Sequence, residues 1–249
     1  MHWDYALIIF FLGVAVPWLG RRRIRLLMEM QQTTKVDRLS LYASTVAFQW
    51  LAAGFILWRT SAHGIRAPLL GLAIPNAVLT LAISVILVAL IFATQIVSLG
   101  RLVAKPAEIQ GLLPQLALKI FPQDDVERLA FFALVATVAV CEEIIYRGFM
   151  QTVFTQWSGG SVFAGIAASA VLFALAHLYQ GRRGLLSTFA VGALFSIVRA
   201  LTGSLIPSMS AHFVADITVG LLAPGRLRRA HTAGLTMRAE SESQASMEK

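Results

Sequence analysis

The chain has 249 residues, of which 57% are apolar and 14% charged, with a formal net charge of +8. Soluble domains carry about 25% charged residues, so this composition, with a mean hydropathy of +0.71, excludes an ordinary soluble domain and predicts a polytopic membrane protein. The positive excess does not point to nucleic acid, because the basic residues lie in short blocks beside apolar spans, as cytoplasmic loops do.

Seven apolar segments approach the ~20 residues needed to cross a bilayer, at about 4–20, 40–58, 74–99, 128–154, 160–180, 185–202 and 204–223. Met1-His2-Trp3-Asp4 precedes the first, and Arg21, Arg22, Arg23 and Arg25 follow it. A cleavable signal has the opposite order, so the first helix is expected to stay in the membrane with its amino end outside. The region 65–80, with Pro68 and Pro75, has room for a short extra helix. The long loop at 101–127 carries Arg101, Lys105 and Lys119 and is broken by Pro106, Pro114 and Pro122; an interfacial helix is expected at 107–120. Arg182 and Arg183 mark the next basic connection, and Arg226, Arg228 and Arg229 open the tail. The connections around Trp157 and Gly203 have no Lys or Arg, so the carboxyl end is expected in the cytoplasm. The predicted fold is an all-α transmembrane bundle: an amino-terminal region of three spans plus loop (1–127), a helical core (128–224) and a disordered tail (225–249).

Charged residues at bilayer depth cost about 2.5–3.5 kcal/mol each, and the fourth span holds Glu142, Glu143 and Arg147 directly after the uncharged run 129–140. Glu143 and Arg147 are four apart and share a helical face, while Glu142 is turned by about 100°. One carboxylate is thus available to the arginine, and the other is left to act as a base. His177 lies near the end of the fifth span, and His212 and Asp216 lie four apart in the seventh. A carboxylate one turn from an imidazole can fix its tautomer. The single cysteine, Cys141, excludes an intramolecular disulfide and reads as a small apolar filler.

The ordered set Glu142-Glu143-x-x-x-Arg147-Gly148, Phe173-x-x-x-His177 and His212-x-x-x-Asp216 resembles the CPBP family of intramembrane proteases, which includes CAAX endopeptidases and bacteriocin-processing proteins. The resemblance covers about 129–223. It implies an endopeptidase in which Glu142 and His177 activate water, Glu143 and Arg147 shape the site, and His212 and Asp216 stabilise the oxyanion. The family commonly has Asn where this chain has Asp216, and an ionised Asp cannot donate to an oxyanion. Both zinc-dependent and glutamate-dependent readings of the family exist. Glu142, His177 and His212 are the candidate zinc ligands, but HExxH is absent and a metal-free mechanism needs fewer assumptions. The expected partners are a membrane-associated peptide or protein substrate, prenylated or bacteriocin-like, and the lipid bilayer, with no nucleic acid. The expected location is a bacterial cell membrane. A proton-coupled transporter is the alternative use of buried Glu and His, although no inverted repeat is visible.

Overall fold

The computed structural model describes residues 2–103, 112–223 and 225, and among them the chain is helical with no strand. The helices are α1 (Trp3–Glu29), α2 (Lys35–Ala62), α3 (Ala77–Val103), α4 (Leu112–Ile120), α5 (Asp125–Trp157), α6 (Val162–Ala176), α7 (Gly181–Thr202) and α8 (Ile206–Ala223). All but α4 and α6 are long and apolar enough to cross a membrane. Their outward faces carry large apolar side chains such as Leu51, Val78, Leu129 and Leu186, as contact with lipid requires. The chain is an integral membrane protein.

The sequence predicts seven spans, whereas the described residues contain six helices of crossing length. The exception is α6, whose 15 residues reach about 22 Å against a hydrocarbon core of about 30 Å. Polar residues explain its early end: Tyr179-Gln180-Gly181-Arg182-Arg183 follows, and a 3₁₀ turn over Leu178–Gln180 reverses the chain. The returning helix accordingly begins at Gly181 rather than 185. The predicted extra helix at 65–80 is only the 3₁₀ turn Ala67–Leu70, tied to the start of α8 by the Leu205 amide donating to Gly71 O at 2.9 Å. A helix, α4, is present from Leu112 within the stretch expected to be interfacial; the part at 107–111 lies outside the described residues, as does the predicted disordered tail at 225–249 after its first residue. The ammonium of Lys119 at the end of α4 donates to Leu27 O at 3.0 Å and Met28 O at 3.1 Å, closing the carboxyl end of α1.

The central element is α5. Asp124 caps its start by accepting from the Glu127 amide at 2.9 Å. Its second half contributes Cys141, Ile144, Ile145, Tyr146, Phe149, Met150 and Val153 to the main core, against Tyr5, Ile8 and Leu12 of α1, Ala53 and Ile56 of α2, Phe173 of α6, and Leu205. Cys141 is fully buried, as a filler would be. Between Glu143 and Met150 the helix widens into eight residues of π-helix, every one buried. Such segments release carbonyls from the regular ladder and frequently mark functional sites. Here the Ser169 hydroxyl of α6 donates to Tyr146 O at 2.8 Å. Gly148 sits where any Cβ would meet Leu70 O at 3.1 Å, so the loop at 67–72 can press against α5.

Helix α2 runs alongside α5 in the same direction and is pinned to it at three levels. Arg38 donates to Glu127 through Nε at 2.9 Å and Nη2 at 2.7 Å. The indole of Trp50, which lies away from any span end, donates to Thr137 Oγ1 at 3.2 Å. Gln49 reaches Glu142. The third span, α3, packs through Leu87 and Ile91 on Phe195, Val198 and Ala211 of α7 and α8.

The Arg38–Glu127 pair is almost wholly buried, so removing one partner strands a charge. Glu127→Ala should lower stability by about 3–5 kcal/mol, and the double variant Arg38→Met/Glu127→Ala should lose less than that single change. Denaturant unfolding in detergent micelles checks the order.

Candidate active site

Three helices deliver the titratable side chains. Glu142 and Glu143 fall near the middle of the 33-residue α5, at the entry to its π-helical segment. His212 and Asp216 come from α8, and His177 caps the carboxyl end of α6 with its amide directed at Ala174 O and Leu175 O.

Glu143 is fully buried and forms the centre of the cluster. Its Oε1 accepts from Arg147 Nη1 at 2.8 Å, as the i,i+4 spacing predicts, and also meets His212 Nδ1 at 3.0 Å. A carboxylate only accepts, so Nδ1 of His212 carries the proton and Nε2 points away from Glu143. This corrects the sequence-based expectation that Asp216 fixes the His212 tautomer. Asp216 Oδ2 lies 3.7 Å from Nε2, the other ring nitrogen, and its side chain is 41% exposed. The orienting carboxylate comes from α5, a facing helix, and no spacing along α8 could reveal it.

The Arg147 guanidinium is buried beneath aromatic rings, 4.0 Å from the Phe173 centroid and 5.4 Å from that of Phe195. An arginine over ring faces gains cation–π stabilisation that grows when water is excluded. Gly192 on α7 permits this stack, because a Cβ there would meet Phe173 Cδ1 at 3.1 Å and Arg147 Nη2 at 3.4 Å.

Glu142 is held differently. Its Oε1 accepts from Gln49 Nε2 of α2 at 3.0 Å. Its Oε2 is buried without a hydrogen-bond partner in the protein and lies 3.9 Å from His212 Nε2. Gln49 escapes the motif reading, although a buried amide inside an apolar span is itself a signal, because an unpaired one is costly.

His177 joins the cluster less directly. Its Nδ1 donates to Phe173 O at 2.9 Å; a carbonyl can only accept, so Nε2 of the neutral ring holds the lone pair. The His177 ring lies 4.7 Å from the Phe173 centroid, and Phe173 lies 6.0 Å from His212. The two histidines thus bracket one phenylalanine. The half-buried Tyr179 follows in the turn after His177, its ring centroid 5.9 Å from that of the histidine. The predicted residues therefore converge, with Glu142, Glu143, Arg147, His212 and Asp216 in one continuous network and His177 at its edge.

As zinc ligands, Glu142, His177 and His212 offer suitable atoms, but they are not gathered in this geometry. Among the described residues, the three ligand atoms that do lie within 4.8 Å of one another belong to His2, Asp4 and His63. There Asp4 is already paired with Arg59 at 2.6 Å. The candidate site does not fit a zinc ion as it stands.

Residues 125–218 match the family model described as type II CAAX prenyl endopeptidase, Rce1-like. That range contains all three motifs. An uncharacterized 24.3 kDa protein of Escherichia coli is 32% identical over 125 residues, half of this chain. The aligned part spans 55% of that relative's length. No solved structure matches.

Because Glu143 serves two buried partners, Glu143→Ala should destabilise the protein by about 3–5 kcal/mol. Asp216→Ala removes a part-exposed side chain and should cost about 1 kcal/mol or less. Denaturant unfolding in detergent gives both values, and equal losses would contradict the network.

Proposed function

We propose, from the Rce1-like family match of residues 125–218, that this chain is an intramembrane endopeptidase acting on lipid-anchored peptides, with Glu142 as its general base. The observation that carries the reading is the buried, unpartnered Oε2 of Glu142 facing His212 Nε2 across 3.9 Å. A free carboxylate oxygen can take a proton from a water, and an imidazole nitrogen beside it can meet the charge that develops as that water attacks.

In the proposed reaction, a water positioned by Glu142 Oε2 and His177 Nε2 attacks the scissile carbonyl carbon. Glu142 takes the water's proton as the C–O bond forms. The negative charge passes to the former carbonyl oxygen, which His212 meets through Nε2–H in its imidazolium form while Nδ1–H stays on Glu143. Collapse of the tetrahedral intermediate breaks the C–N bond, and Glu142 returns the proton it took from water to the leaving amine. Glu143 and Arg147 orient His212 and do not touch the substrate. Asp216, an acceptor when ionised, acts on the oxyanion only through His212.

Substrates would be held by lipid as much as by protein, since the site lies near the middle of a membrane-crossing helix. A prenylated carboxy-terminal peptide is the class that the family description suggests. The basic segments at Arg21–Arg25, Arg101–Arg128 and Arg182–Arg183 support a cytoplasmic face on that side of the bundle, which would put His177, five residues before Arg182, nearest the entry of a cytoplasmic substrate. A bacterial cell membrane is the setting we propose for it.

Glu142→Gln and His177→Ala should each slow cleavage of an internally quenched, farnesylated C-a-a-X peptide by about 10²–10⁴-fold, with the melting temperature in detergent within a few degrees of wild type. Cleavage by Glu142→Gln at the wild-type rate would overturn the assignment. EDTA should leave the wild-type rate unchanged; inactivation that zinc reverses would contradict the metal-free route.

A further inference from the structure

We infer that Gln49, which lies outside the family match, is a positioning residue that aims the Glu142 carboxylate at the reacting water; the inference rests on Glu142 being the base. Gln49 sits in the middle of α2, 8% exposed and surrounded by apolar residues. Its Nε2 donates to Glu142 Oε1 at 3.0 Å across the α2–α5 interface. The donor must be the amide nitrogen, because an ionised carboxylate only accepts.

The contact does two things. It occupies one carboxylate oxygen, so the other, Oε2, is the one left facing His212. It also fixes the plane of the carboxylate, which otherwise turns freely about its terminal torsion. A base must hold its accepting oxygen within hydrogen-bond reach of the proton it removes, and small errors of aim are expensive. Arg38 is clamped to Glu127 through both Nε and Nη2 near the start of the two helices. That buried pair fixes the register of α2 against α5, so the glutamine's reach is set by residues that never approach the site, while the single Trp50–Thr137 contact at the more exposed side of the interface is not needed for it. The amino-terminal half of the chain thereby takes part in the chemistry of the carboxy-terminal half.

The experiment compares Gln49→Met, which is near in size and has no donor, with Trp50→Phe, which removes the neighbouring hydrogen bond between the same two helices. In the wild type minus Glu142→Gln infrared difference spectrum, the Glu142 carboxylate stretch should move when Gln49→Met is introduced and stay fixed with Trp50→Phe. With the farnesylated peptide, Gln49→Met should lower kcat by about 10–100-fold and leave KM within about twofold, while Trp50→Phe keeps kcat within about twofold. Should Gln49→Met not fold, Gln49→Asn, whose amide is too short to reach, is read against the same control. An unmoved carboxylate band, or equal kcat losses at Gln49 and Trp50, would overturn the inference. Full cleavage by Glu142→Gln would instead remove the base assignment, and the infrared comparison would still decide whether Gln49 holds the carboxylate.

Discussion

The structure turns on one buried oxygen. Oε1 of Glu143 meets both Arg147 Nη1 at 2.8 Å and His212 Nδ1 at 3.0 Å, and the carboxylate has no exposed surface. Taking such a group out of water is costly unless it is paired and hydrogen-bonded. Both partners are therefore needed, and they lie on different helices. Arg147 in turn is stacked on Phe173 of α6 and lies near Phe195 of α7. Through that single carboxylate α5, α6, α7 and α8 are brought into a fixed relation.

The backbone prepares this arrangement. A continuous α-helix would present Glu143 and its successors on regular faces, but the π-helical segment from Glu143 to Met150 re-aims them and leaves all eight residues buried. The short α6 has the complementary effect. By stopping at Ala176 it leaves His177 at a turn, where Nδ1 is held by Phe173 O. Both departures from regular spans occur where the candidate chemistry lies, as expected when local rules yield to function.

Much of the site was legible in the sequence because charge in an apolar span is expensive and conspicuous. Glu142, Glu143 and Arg147 stand out after thirteen uncharged residues, and the i,i+4 pairing of Glu143 with Arg147 follows from helix geometry alone. His212 and Asp216 stand out equally, but their spacing suggested the wrong orienting acid. The true partner of Nδ1 comes from another helix, and periodicity cannot report contacts between helices. Gln49 stood out only as an amide within an apolar span, and its partner, on another helix, was hidden for the same reason. The span count was legible to within one: α6 is as apolar as its neighbours, and the polar run after it, not its hydropathy, sets its length.

The proton on His212 is the most direct test of the Glu143 hub. Nitrogen-15 NMR of histidine-labelled protein in detergent, with the His212 signal assigned by its loss in His212→Gln, reads which ring nitrogen carries hydrogen and whether it is hydrogen-bonded. A protonated Nδ1 that exchanges slowly with water is the result expected of a nitrogen held by buried Glu143. An Nδ1 without hydrogen, or one exchanging as fast as a free imidazole, would contradict it.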